Sequence, residues 1–193
     1  MNLSSFWQQL LPTQIDLTGL KMSELASVLI AVTDSKTDPN IILTQRAFKM
    51  KTHGGQVAFP GGHWESGDAS LAHTALRESY EEISLMQECV VVHGRLTEQR
   101  SLHGLTVYPF VAEVPEELNL VKNPDEIESI FSVPLAFLME TAPERTDKVE
   151  RHGVRYQMPC WYFEGYEIWG LTAIFLQELL NKLDAFNTNQ KPA

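Results

Sequence analysis

The chain is poor in cysteine, in positive charge and in long apolar runs. Its 193 residues include two cysteines, Cys89 and Cys160, too few for a disulfide framework and without a second ligand pair for zinc. We expect both to be buried packing residues. No apolar run is long enough to cross a membrane, so no membrane partner is expected. With 15 Lys and Arg against 25 Asp and Glu, the formal net charge is −10. This balance argues against nucleic acid as a partner, because its phosphate backbone favours a basic surface.

The first residues lack the features of a secretory signal. Residues 1–7 have neither a positive region nor a long apolar core, and they favour a short amphipathic helix. We therefore expect a cytoplasmic location. The hydrophobic content of 44% suits a compact soluble enzyme, and no repeat or low-complexity linker divides the chain. The sequence thus predicts one domain over residues 1–193, with a loose polar tail from residue 187 onward.

The most informative stretch lies in the first half of the chain. There a double glycine, Gly61-Gly62, precedes a predicted helix with three glutamates. Glu78, Glu81 and Glu82 stand at positions i, i+3 and i+4, so their side chains share one helix face. Crowded carboxylates repel each other unless a cation lies among them. The combination indicates a divalent metal site that holds a diphosphate, although an acid run taken alone is more often a solvated helix face.

The predicted helix has clear start signals. Asp68 and Ser70 can accept hydrogen bonds from the first free backbone N–H groups, so the helix is expected to start near residue 69 or 70. An apolar stripe lies roughly opposite the acids and predicts that the helix packs by one face and presents acid on the other. The stripe consists of Ala72, Leu76, Tyr80 and Ile83. Before the helix, residues 56–59 are predicted as a short strand that Pro60 ends, and the glycines then allow a tight turn or a close approach to a ligand.

This region resembles the signature of the Nudix hydrolases, in which a glycine and a glutamate precede Arg-Glu-U-x-Glu-Glu-x-Gly-U, with U aliphatic. Here the box runs over residues 62–85 and contains Arg77-Glu78-Ser79-Tyr80-Glu81-Glu82-Ile83-Ser84-Leu85. Ser79 stands at an aliphatic position, and Ser84 stands where glycine is usual, which predicts a different helix end. Asp68 stands where the first glutamate is expected, one residue further from the arginine than usual. The metal-binding glutamates are all in place.

Upstream of the box, the chain is similar to the Nudix subgroup that hydrolyses coenzyme A. That subgroup carries approximately L-L-T-x-R and then H-x-G-x-V-x-F-P-G-G. This chain has Ile42-Leu43-Thr44-Gln45-Arg46 and then His53-Gly54-Gly55-Gln56-Val57-Ala58-Phe59-Pro60-Gly61-Gly62, and further similarity extends over roughly residues 25–180. The resemblance implies an α/β Nudix fold, an α/β/α sandwich around a mixed β-sheet. It also implies Mg²⁺- or Mn²⁺-dependent hydrolysis of coenzyme A to 3′,5′-ADP and 4′-phosphopantetheine, with acyl and oxidised forms left open.

The resemblance assigns roles to particular residues. Glu78 and Glu82 are expected to ligate the metal, with Glu81 as a third ligand or as the base. Arg77 is expected to orient a neighbouring glutamate, and a loop acid such as Glu126 is the other candidate base. The expected binding set is Arg46, His53, Gly61 and Gly62, in which Arg46 would grip phosphates and the Gly62 carbonyl would complete the metal sphere.

Two other functions remain open at this stage. The same chemistry could act on another nucleoside diphosphate, such as ADP-ribose or NADH, and the upstream motif counts against this. The chain could also be a Nudix module that binds nucleotides without cutting them, and the retained acid cluster counts against that. A small-molecule substrate is expected in each case, and a homodimer is left open.

Apolar periodicity and turn residues predict the remaining elements. Helices are expected at 3–10, 70–83, 134–139 and 170–184, with a helical turn at 124–131, and strands at 27–33, 40–44, 56–59, 89–97, 105–114, 153–158 and 161–168. Alternation on either side of Pro159 predicts a late hairpin with this proline near its turn.

Overall fold

The computed structural model describes residues 3–50, 52–101, 104–151 and 154–190. Within these residues the chain forms eleven strands and three α-helices, with short 3-10 helices at Phe6–Gln9, Met22–Glu24 and Gln87–Cys89. The strands are β1 (Leu25–Thr33), β2 (Asn40–Arg46), β3 (Val57–Ala58), β4 (Gly61–His63), β5 (Val91–Arg95), β6 (Gln99–Arg100), β7 (Thr106–Val114), β8 (Ile127–Pro134), β9 (Arg145–Arg151), β10 (Val154–Phe163) and β11 (Tyr166–Ile168). The α-helices are α1 (Leu71–Ile83), α2 (Leu135–Glu140) and α3 (Gly170–Gln190).

The larger sheet is mixed and opens between two of its strands. β1 runs parallel to β7 along its full length, and β7 is antiparallel to β5 and β6. β2 pairs with β1 only where Val32 meets Ile41. Beyond that point β1 pairs with β4, whereas β2 pairs with β3 and β8. The segment from β3 to β4 therefore bridges two diverging strands and brings the double glycine into the middle of the sheet.

The core has two layers because side chains alternate along each central strand. On one face of β1, Leu25, Leu29 and Ala31 pack in a cluster with Leu71, Ala75 and Ile83 of α1. On the other face, Ala26, Ile30 and Val32 belong to a cluster with Ala173, Leu176 and Leu180 of α3. Helices thus cover both faces of a mixed sheet, and the predicted α/β/α arrangement is confirmed.

Two expectations about local structure are wrong. The helical turn expected at 124–131 is largely strand, because β8 starts at Ile127 and pairs antiparallel with β2. Pro159 does not lie in a turn, since β10 runs through it without a break and pairs there with Thr146 of β9, a strand that the sequence did not predict. The turn after β10 lies instead at Glu164 and Gly165, both with positive φ. Residue 153, where the first strand of the hairpin was expected to begin, lies outside the described residues.

The ends of the chain also differ from expectation. α3 continues to Gln190, so residues 187–190 are helical rather than loose, while residues 191–193 lie outside the described part. The N-terminal helix is a single 3-10 turn at Phe6–Gln9. Cys160 is buried as expected, but Cys89 is partly exposed. Among the described helices, none combines the length and the apolar character that crossing a membrane requires.

Candidate active site

Side chains at both ends set the limits of α1, the helix that carries the acid cluster. The Ser70 hydroxyl accepts a hydrogen bond from the His73 N–H at 3.1 Å, and α1 begins at the next residue, close to the predicted start. At the other end Ser84 has φ 55°, and its N–H donates to the Ser79 and Tyr80 carbonyls. The helix therefore ends in the left-handed conformation that usually selects glycine. The expectation that Ser84, in place of the usual glycine, would change how the helix ends is wrong.

The buried face of α1 matches the predicted stripe in part, because Ala72, Leu76 and Ile83 pack against the core and Tyr80 does not. Ile83 is fully buried, but Tyr80 is half-exposed, and the buried positions are Leu71, Thr74, Ala75, Ser79, Glu82 and Ile83. Glu82 therefore lies on the packed side of the helix with 2% of its side chain exposed. Glu81, its neighbour in sequence, has 49% exposed. A buried carboxylate requires polar partners, and those partners define the site.

Both carboxylate oxygens of Glu82 are bound by residues of the upstream motif. The Gly61 N–H donates to Oε2 at 3.1 Å, and Arg46 Nη1 donates to Oε1 at 3.3 Å. Burial raises the pKa of Glu82 to about 7, although the Gly61 N–H and the Arg46 guanidinium lower it. The acid helix, β2 and β4 thus meet at one carboxylate.

Close contacts explain why two glycines stand in β4. Gly61 has φ +152°, and a Cβ there would lie 2.2 Å from the Ser27 carbonyl oxygen. A Cβ at Gly62 would lie 2.4 Å from Cδ of Glu78 and 2.5 Å from each of its carboxylate oxygens. Any larger residue at Gly62 must therefore displace the Glu78 carboxylate. The backbone of β4 passes directly over the acid cluster.

Arg77 is held by Asp68 in a two-pronged ion pair. Its Nε donates to Oδ1 at 2.9 Å and its Nη2 to Oδ2 at 3.1 Å. Asp68 also accepts from the Thr74 hydroxyl at 2.9 Å and from the Glu65 N–H at 3.0 Å, and its Oδ1 lies 3.1 Å from His73 Nδ1. Burial alone would raise the pKa of Asp68, but the hydrogen bonds, led by Arg77, hold it well below its usual range. The same ion pair raises the pKa of Arg77.

The remaining donor groups of Arg77 contact the acids. Nη1 lies 3.0 Å from Glu78 Oε1 and 3.2 Å from Glu81 Oε2, and Nη2 also donates to the His63 carbonyl at 2.9 Å. Asp68 was expected at the helix start and at the first acidic position of the box, and its role as the anchor of Arg77 was not predicted. Its place at the first acidic position of the box was the available signal.

Glu126 lies beside the acid cluster on the loop before β8. The loop packs on the C-terminal end of α1, where the Asn123 N–H donates to the Glu82 carbonyl at 2.8 Å. After burial, which is the main cause, the charge of Glu126 contributes to the raised pKa values of Glu78 and Glu82. The carbonyl of Glu126 accepts from the Ala47 N–H at 2.8 Å, so the loop also contacts the turn after β2.

His53 lies in the turn between β2 and β3. It is exposed with φ 60°, and its Nδ1 lies 2.8 Å from Oε1 of Gln56. This contact lies within its own turn. Its predicted binding role stays a prediction.

The acids provide part of a metal site rather than a complete cage. Among the described residues, no three acidic, histidine or cysteine side chains converge closely enough to hold an ion by themselves. Mg²⁺ typically binds to one or two carboxylates, substrate phosphates and water. Glu78 and Glu82, one helical turn apart and both largely buried, supply hard oxygen ligands of that kind. The donor set therefore fits Mg²⁺ or Mn²⁺ that binds together with a phosphate-bearing substrate.

Comparison with known proteins identifies the class of protein. The NUDIX domain family matches residues 24–155. Over 171 residues, 89% of this chain and 88% of the relative, the chain is 39% identical to a protein of Salmonella heidelberg (strain SL476) named "Uncharacterized Nudix hydrolase NudL". The chain therefore belongs to the Nudix hydrolase family. Enzymes of this family generally use divalent metal ions such as Mg²⁺ or Mn²⁺ and act on small nucleotide substrates.

Two solved structures share the fold. One is a C. elegans Ap4A hydrolase in a binary complex, with a TM-score of 0.55 at 15% identity over 85% of this chain and 98% of that chain. The other is the NUDIX domain of Shewanella oneidensis NrtR complexed with ADP ribose, with a TM-score of 0.52 at 15% identity over 96% and 99%. At such low identity these similarities support the fold alone, and the expected Nudix fold is confirmed.

Proposed function

We propose that the protein hydrolyses the diphosphate bond of coenzyme A and releases 3′,5′-ADP and 4′-phosphopantetheine. One observation carries this proposal. Arg46 and Gly61, from the two halves of the motif that resembles the coenzyme A subgroup, both donate hydrogen bonds to Glu82. The residues that suggest the substrate therefore lie in the same site as the acids that suggest the chemistry.

The contacts of each acid support a role. Glu78 and Glu82 are the proposed metal ligands, because their largely buried carboxylates lie against β4. A divalent cation held there would offset the charge of the diphosphate and would lower the pKa of an attacking water. Glu81 and Glu126 are the two candidates that take the proton from that water. Arg77 keeps the Glu78 carboxylate oriented through its bond at 3.0 Å.

The substrate-binding residues act from the other side of the site. Arg46 is partly exposed, and only one guanidinium nitrogen is needed for its bond to Glu82. A guanidinium has five donors, so Arg46 is suited to bind a phosphate oxygen at the same time. A side chain at Gly62 would meet the Glu78 carboxylate, whereas one at Gly61 would meet the backbone of β1; the Gly62 carbonyl is the proposed further metal ligand. We also propose that His53 binds the substrate, from the turn in which it contacts Gln56.

A substrate comparison tests the proposal. Purified protein is incubated separately with coenzyme A, ADP-ribose and NADH, with Mg²⁺ or Mn²⁺, and the products are separated by chromatography. We expect 3′,5′-ADP from coenzyme A at a higher rate than cleavage of the other two, and we expect EDTA to abolish the activity until metal is restored.

The other outcomes would refute either the substrate or the activity. Cleavage of ADP-ribose or NADH alone would retain diphosphate hydrolysis and refute coenzyme A as the substrate. ADP-ribose is the second candidate because the NrtR domain that shares the fold is complexed with it. Cleavage of none of the three would refute the proposed activity and favour a nucleotide-binding module.

A further inference from the structure

An exposed aromatic ring stands in the turn that follows Arg46 of the candidate active site. Among the described residues, Phe48 is the most exposed large apolar side chain, with 67% of its surface accessible. We propose that its ring is the stacking surface for the purine base of the substrate. The inference rests on the proposed function, because it concerns how the same site holds the nucleotide half of coenzyme A.

The ring of Phe48 is supported by the backbone beneath it. A Cβ at Gly55 would lie 2.8 Å from Cε1 and 2.9 Å from Cδ1 of the ring. Gly55 has φ +77°, and its N–H donates to the Arg46 carbonyl at 3.0 Å. The glycine backbone therefore covers one part of the ring, while most of it faces solvent. An aromatic ring held in this way can receive a planar base at little entropic cost.

The turn that carries Phe48 contacts the loop that carries Glu126, a candidate general base. The residues directly before and after Phe48 make these contacts. One residue earlier, the Ala47 N–H donates to the Glu126 carbonyl at 2.8 Å. One residue later, Lys49 Nζ lies 2.6 Å from Asp125 Oδ1. These contacts join the turn that carries Phe48 to the loop that carries Glu126, whose charge acts on Glu78 and Glu82.

The ring lies close to Arg46 along the chain. Arg46 contacts Glu82 and stands two residues before Phe48. Two residues of extended chain span at most about 7 Å, so the backbone positions of Phe48 and Arg46 lie within that distance, and the ring is proposed to lie at the edge of the space where the diphosphate would bind. A base is joined to its 5′-phosphate through one ribose, and this geometry lets the phosphates reach Arg46 while the base reaches the ring.

A purine suits this surface better than the pantetheine arm does. Bases stack on aromatic side chains through their flat faces, whereas the pantetheine arm is flexible and carries amides that gain little from an apolar ring. Arg46 and Lys49 flank Phe48 in the sequence, and each is paired with an acid, Glu82 and Asp125, so the preference for the nucleotide half rests on the flat face of the ring. The nucleotide half of the substrate is therefore the proposed occupant.

The test compares Phe48→Ala and Phe48→Trp with the wild type. Val91→Ala, on β5, is the matched control because it also removes an exposed apolar side chain. For coenzyme A we expect Phe48→Ala to raise KM roughly five- to hundredfold, with kcat changed less than about twofold, and Phe48→Trp to keep the wild-type KM. Calorimetric titration should show weaker binding of 3′,5′-ADP to Phe48→Ala and unchanged binding of 4′-phosphopantetheine.

Three outcomes would overturn the stacking role. If the wild type cleaves coenzyme A and Phe48→Ala has the KM of the Val91→Ala control, the ring does not bind the base, and the proposed function stands. If 4′-phosphopantetheine binding weakens instead of 3′,5′-ADP binding, the ring contacts the other half of the substrate. If the wild type does not cleave coenzyme A, the proposed function fails separately. In that case the binding of 3′,5′-ADP to the wild type and to Phe48→Ala is compared, with ribose 5-phosphate as the control ligand that has no base. Equal affinity of the two proteins for 3′,5′-ADP refutes the stacking.

Discussion

The ion pair between Asp68 and Arg77 leads to a quantitative prediction about stability. Asp68→Ala would leave Arg77, of which 18% is exposed, without its two-pronged partner. It would also remove the acceptor for the Thr74 hydroxyl and the Glu65 N–H. Breaking one partner of a buried ion pair costs about 3–5 kcal/mol. Since domains are stable by about 5–15 kcal/mol, the variant should lose a large part of the free energy of unfolding.

Urea denaturation at pH 7, followed by tryptophan fluorescence, measures this loss. We expect the midpoint to fall by roughly 2 M urea with an unchanged slope, because the slope depends on the surface exposed on unfolding. Asp184→Ala, at an exposed position of α3, is the matched control and should change stability by no more than about 0.5 kcal/mol. A loss below about 1 kcal/mol in Asp68→Ala would refute the argument that this pair stabilises the fold.

The pH dependence of the same comparison has a definite sign. The folded-state pKa of Asp68 lies below its ordinary value of about 3.9, so the ionised carboxylate stabilises the folded state. That contribution is complete above the unfolded-state pKa and is lost as the pH falls toward the folded-state pKa. The stability difference between wild type and Asp68→Ala should therefore be constant from pH 7 to about pH 5 and shrink below about pH 4. A difference that grows in acid would contradict the assignment.

Two further variants test the acid cluster. Glu82→Gln should reduce turnover by roughly 100-fold or more while the circular dichroism spectrum stays unchanged, because it removes a proposed metal ligand, expected to be worth several kcal/mol. Glu88→Gln, at an exposed position, is the control, and undiminished turnover would remove Glu82 from the site. Gly62→Ala should lower kcat at least about tenfold, because its Cβ would lie within 2.5 Å of the Glu78 carboxylate. Gly67→Ala, whose Cβ would meet nothing within 4 Å, should keep wild-type activity, and equal rates for the two alanine variants would show that the position of Glu78 does not matter.

Local sequence was sufficient to predict the helices and strands whose start, end and periodicity signals all lie within one segment. α1 was predicted at 70–83 and found at Leu71–Ile83, because its capping serine and helical spacing lie within one segment. β1 and β7 were predicted nearly to their ends, since buried strands with apolar residues on both faces are recognisable alone. The motifs also indicated the family, which the matches to known Nudix proteins confirm.

Tertiary structure decided the elements that depend on a distant partner. The segment after Pro124 carries turn residues, yet most of it becomes β8 because β2 provides a full ladder of backbone partners. β10 continues through Pro159 because the neighbouring residues pair with β9 and β11. Strand pairing joins segments far apart in sequence, and local propensity is too weak to predict it.

The sequence by itself determined which acids share α1, but not what each acid contacts. Helical spacing placed Glu78, Glu81 and Glu82 on one face, and only packing against β2 and β4 buried Glu82 while leaving Glu81 half-exposed. Likewise, Asp68 was visible as an acid before the helix, and only the folded loop brought both its oxygens to the Arg77 guanidinium. Residue types and spacing are local properties of the chain. Burial and hydrogen-bond partners arise when separate segments meet, as Asp68 and Arg77 do 9 residues apart and Arg46 and Glu82 do 36 residues apart.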